Sequence, residues 1–238
     1  MTATEKLKVL FEDNHLLVVL KEPDVLSQGD ASGDPDMLGI AKEYIKNKYN
    51  KPGEVYLGLI HRLDRRVGGL MAFAKTSKAA GRLSREIRER QFKKEYVALV
   101  TGDAPVSGML TDYLVKVKRR GRIVAEAASP EDRFAQKAVM NYRKIKTVRH
   151  DGKIFSVLLI NLVTGRYNQI RKQLALAGHP IVGDFKYGYR GENYDDRLGL
   201  FCWRLVFKHP TTKAIVDVKN LPSGWLWGNL EDDEFEHE

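Results

Sequence analysis

The stretch His61-Arg62-Leu63-Asp64-Arg65-Arg66-Val67-Gly68-Gly69 sits between two short apolar runs, residues 55–60 and 70–74. Both runs read as strands, so these nine residues form the loop that joins them. The loop holds four bases, counting His61 as a potential cation, and one acid, Asp64. Nearby cations favour the ionised form of a carboxylate. An ionised carboxylate can serve as a nucleophile or as a base. An isolated aspartate would more simply be half of a surface salt bridge, so the neighbouring segments must decide.

Working outward, residues 7–11 and 16–21 read as a strand pair around the turn residues Asp13-Asn14, and Pro23 stops the second strand. Residues 28–36 are rich in Gly, Asp and Ser and read as an exposed loop, and residues 37–49 have helical spacing. Ser77 can cap a second helix, with Ala79, Ala80, Leu83 and Ile87 on one face and Lys78, Arg82, Arg85 and Arg88 on the other. That basic row is a solvated face or a place to hold phosphates. Further strands are expected at residues 94–101, 139–145, 154–162, 200–207 and 214–218, and a helix at 167–177 that Gly178 and Pro180 end. Residues 106–138 carry the basic run Lys116, Lys118, Arg119, Arg120 and Arg122, either a solvated loop or hairpin or a contact for RNA. Many strands and few helices give an α+β class with a mixed, mainly antiparallel sheet and flanking helices. One globular unit over residues 1–230, whole or split into two lobes, suits the length of 238.

The net charge is +9, yet six of the last eight residues are acids; without them 40 bases face 25 acids, or +15. A basic body favours a polyanionic partner such as nucleic acid. The acidic tail, residues 231–238, reads as disordered. Cys202 is the sole cysteine, so no internal disulfide can form, which fits a reducing cytoplasm. The polar start, residues 1–8, has no apolar leader, and no run approaches 18 apolar residues, so export and membrane spanning are not expected. There is no P-loop and no dinucleotide fingerprint, and the six histidines and one cysteine lack metal-ligand spacing. Neither cofactor nor metal is expected, and no obligate protein partner is evident.

Two further segments supply the context for Asp64. One is Lys93-Lys94-Glu95-Tyr96-Val97-Ala98-Leu99-Val100. The other is Thr164-Gly165-Arg166-Tyr167-Asn168-Gln169-Ile170-Arg171, continuing to Gly178-His179-Pro180-Ile181-Val182-Gly183-Asp184 and Tyr187-Gly188. Together with the Asp64 loop, in this order, they resemble the RluA family of pseudouridine synthases, and the resemblance runs from about Leu7 to Val218. It implies a sheet-based fold with a central RNA-binding cleft between two lobes. It also implies isomerisation of uridine to pseudouridine in structured RNA, ribosomal or transfer, without cofactor or metal. The small N-terminal RNA-binding module of some relatives is not expected, because the match begins almost at once.

The resemblance places the essential aspartate at Asp64, the active-site tyrosine at Tyr96 and the carboxylate-pairing arginine at Arg171. Arg62 falls where similar enzymes can fill the space left by an extruded base. Arg62, Arg65, Arg66, Arg82, Arg85 and Arg166 are the expected RNA contacts. Asp64 would assist glycosidic cleavage by abstracting a sugar proton or by attacking C1′, and the residues leave that choice open. His61 reads as structural or as a phosphate contact, His179 as structural, and Asp184 as shaping its Gly-Asp turn. The chain also departs from the family pattern. Val67-Gly68 stand where many members have Thr-Ser, Asn168 replaces a histidine, and Leu200-Phe201-Cys202 replaces Leu-His-Ala. These departures leave room for an RNA-binding protein that keeps the fold without the activity. A glycoside hydrolase would need a second carboxylate flanking the bond, which the Asp64 loop does not supply.

Overall fold

A computed structural model describes residues 7–194, 197–224, 227 and 230–235. The chain forms two compact units, Met1–Lys94 with Cys202–Asn220, and Glu95–Phe201 with Leu221–Glu238.

The first unit holds strands β1 (Val9–Glu12), β2 (Leu16–Lys21), β3 (Gly58–Leu59) and β4 (Gly68–Ala74), helices α1 (Met37–Lys48) and α2 (Ser77–Arg88), most of β10 (Leu200–Lys208), and β11 (Ile215–Lys219). Its strands run in the order β1-β2-β4-β10, with β3 added to β4 and β11 added to β10. The β1–β2, β2–β4, β3–β4 and β10–β11 pairs are antiparallel. β4 is buried along its whole length, which explains its unbroken run of apolar and glycine residues. Residues 55–60, expected as a full strand, contribute only the two residues of β3. The helices cover the core through Ala41 and Ile45 of α1 and Ala79 and Leu83 of α2. Asp36 caps α1 by accepting from Gly39 N (3.1 Å). The cap of α2 is Thr76, one residue before the expected Ser77: its hydroxyl accepts from Ala79 N (3.2 Å).

The second unit orders its strands β5-β9-β8-β6-β7. These are β5 (Lys93–Thr101, from Glu95 on), β6 (Ser107–Arg119), β7 (Arg122–Ala127), β8 (Gln136–His150) and β9 (Lys153–Leu162), joined by helix α3 (Gln169–Leu176). All four ladders are antiparallel. The basic run at 116–122 is therefore a hairpin of two strands. Its two-residue turn, Arg120-Gly121, has φ of 47° and 79°, the left-handed pair that matches strand twist. Arg-Gly is a weaker turn signal than the Asp151-Gly152 turn that joins β8 to β9. α3 starts at Gln169 rather than at 167, because Asn168 is itself left-handed at φ 49°.

The acidic tail departs from the expected disorder over its described part. Asp232–Phe235 forms one 3-10 turn, Phe235 is buried, and the Glu234 carboxylate accepts from Lys146 Nζ at 3.1 and 3.3 Å. An apolar anchor and an ion pair on the basic strand β8 outweigh like-charge repulsion there. Among the described residues no helix is long and apolar enough to cross a membrane.

At Gly69 two strand backbones of the first unit approach closely. The glycine's φ is +126°, and a Cβ there would collide with the backbone N, Cα and O of Cys202 on β10. Close approach of two strand backbones thus requires glycine. Gly69→Ala is expected to lower stability by about 3 kcal/mol or more, read from urea unfolding midpoints at unchanged slope.

Candidate active site

Asp64 lies between β3 and β4, half-buried. Its carboxylate accepts from Arg66 N (3.1 Å) and its carbonyl from Val67 N (3.0 Å), so side chain and backbone close one tight turn. Buried Leu63 and Val67 anchor the turn on either side. Ser27 clamps Leu63 from both ends: its hydroxyl donates to Leu63 O (2.7 Å) and accepts from Leu63 N (3.0 Å).

Lys21, at the end of β2, supports the same turn. Its side chain is fully buried, and Nζ donates to Arg65 O (2.8 Å) and Glu22 O (3.0 Å). Arg65 O also accepts from Asp24 N (2.8 Å). Burial pushes the Lys21 ammonium down to about 8, while Asp64, Asp24 and Glu22 pull it back up. Sequence reading missed Lys21 because a lysine ending a strand reads as a solvent-facing residue.

His61 is not a phosphate contact. It is buried, and its Nε2 accepts from Ala72 N (3.2 Å), so the neutral ring carries its proton on Nδ1. Burial, helped by the Lys94 charge, lowers its pKa to about 3. Its ring lies 5.8 Å from that of Phe92, which stacks on Phe207 at 4.6 Å. The loop therefore carries three cations rather than four. Burial also lowers the Lys94 ammonium below its usual range.

The expected RNA-contacting arginines of this unit divide. Arg62 and Arg85 are exposed. Arg65 is exposed too, but it pairs with Asp34 (2.6 Å) and donates to Asp24 O (3.2 Å). Arg82 is half-buried and donates to Pro210 O (2.7 Å), so its head group holds the β10–β11 turn. Arg66 is half-buried beside Asp64.

In the second unit Tyr96 is a buried residue of β5, opposite Ile160 of β9. Arg171, only 4% exposed, projects from α3 and forms a bidentate pair with fully buried Asp184: Nε to Oδ2 and Nη2 to Oδ1, both 2.7 Å. Its guanidinium also lies 5.0 Å from the centre of the Tyr187 ring. The Tyr187 hydroxyl accepts from Ala125 N (2.8 Å) and from Asn168 Nδ2 (3.0 Å). The residue that replaces the family histidine thus braces the aromatic against which Arg171 lies. Asp184, expected only to shape its turn, is the anionic partner that allows a guanidinium to be buried. It follows Gly183, whose φ is +77° and whose Cβ would collide with Arg197 O. Arg166 is exposed, and its Nε donates to Lys137 O (3.1 Å). Among the described residues no three or more His, Cys, Asp or Glu side chains are grouped to hold a metal ion.

Residues 15–176 match the sequence model of the RNA pseudouridylate synthases, and the chain belongs to that family. Among individual relatives it is 32% identical to the ribosomal large subunit pseudouridine synthase C of Buchnera aphidicola subsp. Schizaphis graminum, over 86% of this chain and 63% of that protein. It is 31% identical to the ribosomal large subunit pseudouridine synthase D of Vibrio cholerae, over 87% and 64%. A tRNA pseudouridine synthase C of Haemophilus ducreyi is 29% identical over 91% of both chains. The chain spans under two thirds of the length of the first two relatives. In fold it is similar to human RNA pseudouridylate synthase domain containing 1, with a TM-score of 0.73, 24% identity, and coverage of 93% of this chain and 86% of that one.

Two outcomes follow for stability. Lys21 loses its proton at lower pH when folded (about 8) than its usual 10.5, so its charge weighs against folding below 8 and that cost fades as pH climbs to 10.5. Wild type should therefore gain on Lys21→Met by up to about 1.4 kcal/mol per pH unit across that window, seen in paired urea titrations. Asp184→Ala should cost about 3–5 kcal/mol by removing the bidentate partner of a buried guanidinium. Adding Arg171→Met should recover part of that loss, so a double-mutant cycle would show strong coupling.

Proposed function

We propose that this chain isomerises uridine to pseudouridine in structured RNA, ribosomal or transfer, with Asp64 as its catalytic carboxylate. The observation that carries the reading is the Asp64 turn: the sole acid of a basic loop, half-buried, with its backbone pinned by Lys21, Ser27 and Asp24. A backbone pinned this way fixes where the carboxylate is presented, which is what positioned chemistry needs. The names of the relatives point the same way, to ribosomal and transfer RNA.

In the proposed reaction the C1′–N1 bond breaks, the uracil turns, and a C1′–C5 bond forms. C5 gives up its proton and N1 gains one, so nothing is oxidised or reduced. Asp64 assists the first step at the sugar, by taking a proton or by adding to C1′. In this reading Tyr96 stacks on the uracil and takes the C5 proton late in the reaction. Arg171 is the third proposed catalytic residue, its guanidinium held in one orientation by Asp184. Extruding the uridine costs about a few kcal/mol of stacking and pairing. Phosphate contacts to the basic body offset this, and Arg62, exposed beside Asp64 in sequence, enters the gap left in the RNA. The same reading puts the protein where its RNA is, in the cytoplasm.

Asp64→Asn should abolish pseudouridine formation in ribosomal and transfer RNA pools, read by carbodiimide labelling, while RNA binding stays within about twofold of wild type. Near-normal turnover in that variant would remove Asp64 from the chemistry. Tyr96→Phe separates the ring from the hydroxyl: a modest loss assigns stacking, and a total loss assigns the proton transfer.

A further inference from the structure

We infer that the face of the β6–β7 hairpin carries a second, non-catalytic slot that takes an unpaired nucleobase of the RNA together with its flanking phosphates. This rests on the reading of RNA as the substrate. An open depression of about 600 Å³ lies on this face of the second unit. Buried Leu114 and Ala125 contribute to its lining, and Phe134 and Tyr167 line it as well.

Both aromatics are held out toward water. Phe134 is 63% exposed, yet its position is built: Phe134 N donates to Asp132 Oδ1 (2.8 Å) and Ala135 N to Asp132 O (2.9 Å). Tyr167 is 41% exposed, and its hydroxyl donates to Ile123 O (3.3 Å) on β7. Each ring carries cations. Lys116 and Lys186 place their ammonium nitrogens 4.9 and 5.6 Å from the centre of the Tyr167 ring, and the Arg133 guanidinium lies 4.4 Å from that of Phe134. Asp132 is the one acid among the lining residues, and it is already turned onto the Phe134 backbone.

An occupant that suits this place must be flat, to lie against an aromatic ring. It must be partly apolar, to cover Leu114 and Ala125, and it must bring anionic groups to lysine and arginine. A nucleobase on its sugar-phosphate chain meets all three, and base–aromatic stacking tolerates any base. Tyr167 lies two residues before α3, the helix that carries Arg171. A strand gripped here is therefore held beside the segment that supplies a proposed catalytic group.

The test uses the full chain and a fluorescein-labelled 12-nucleotide single-stranded RNA of mixed sequence, with an RNA duplex of equal length beside it. Phe134→Ala and Tyr167→Ala should each weaken single-strand binding roughly five- to 150-fold, the range for losing one stacked base. Duplex binding should change less than twofold. Phe134→Trp and Tyr167→Phe keep a ring and should keep wild-type affinity, which also controls for folding. Equal weakening for strand and duplex overturns the slot. So does a self-association of wild type that Phe134→Ala abolishes while RNA binding is unchanged, because the occupant is then a second copy. If wild type forms pseudouridine and Phe134→Ala binds the strand normally, the slot fails and the catalytic reading stands. If Phe134→Ala loses strand binding and wild type forms no pseudouridine in ribosomal or transfer RNA, the slot stands and the catalytic reading fails.

Discussion

A buried ammonium holds the Asp64 turn in shape. Lys21 has no solvent contact, and its Nζ donates to two backbone carbonyls, Glu22 O and Arg65 O. Peptide carbonyls in a tight buried turn need donors, and water cannot reach them all. A lysine at the end of a neighbouring strand meets that need at a distance in sequence. Asp64, Asp24 and Glu22 in turn offset part of the cost of burying that ammonium. Ser27 does the corresponding work for Leu63. The geometry of one loop thus depends on side chains from the strand and loop some forty residues earlier.

The second unit solves a similar problem with opposite charges. Arg171 is buried on α3, where its pair with Asp184 offsets the cost of burying its charge. The pair is planar and bidentate, which fixes the guanidinium in rotation as well as position. Tyr187 lies against it, and Tyr187 is tied in turn to β7 by Ala125 N and to the helix start by Asn168. Each contact removes a degree of freedom from a residue that the proposed chemistry needs in one orientation.

Not every base is a handle for RNA. Arg65 is engaged with Asp34 and Arg82 with Pro210 O, so two of the expected contacts already serve the fold. Positive charge on a surface is shared between holding the protein and meeting the partner. That leaves Arg62 and Arg85 as the exposed arginines of the first unit expected to meet RNA. It also shifts attention to the exposed hairpin of β6 and β7.

The strands β2, β4 and β9 and the helix α1 were legible because their signals are local: apolar runs and helical spacing. The proposal of Asp64, Tyr96 and Arg171 as catalytic residues rests on short motifs that occur in order. The β6–β7 pair was left open between loop and hairpin, since its turn is Arg-Gly and its strands are rich in charge, and pairing with β8 decides it. The roles of Lys21, Thr76 and Asp184 were not legible, nor was the neutral state of His61. Burial and a distant partner decide each of these, and neither is written in the residues nearby. The amino-acid sequence determined the family, the class of fold and the acid at the centre of the basic loop. Tertiary structure alone decided which charges are buried, because desolvation depends on what the chain brings near and not on what stands beside a residue in order.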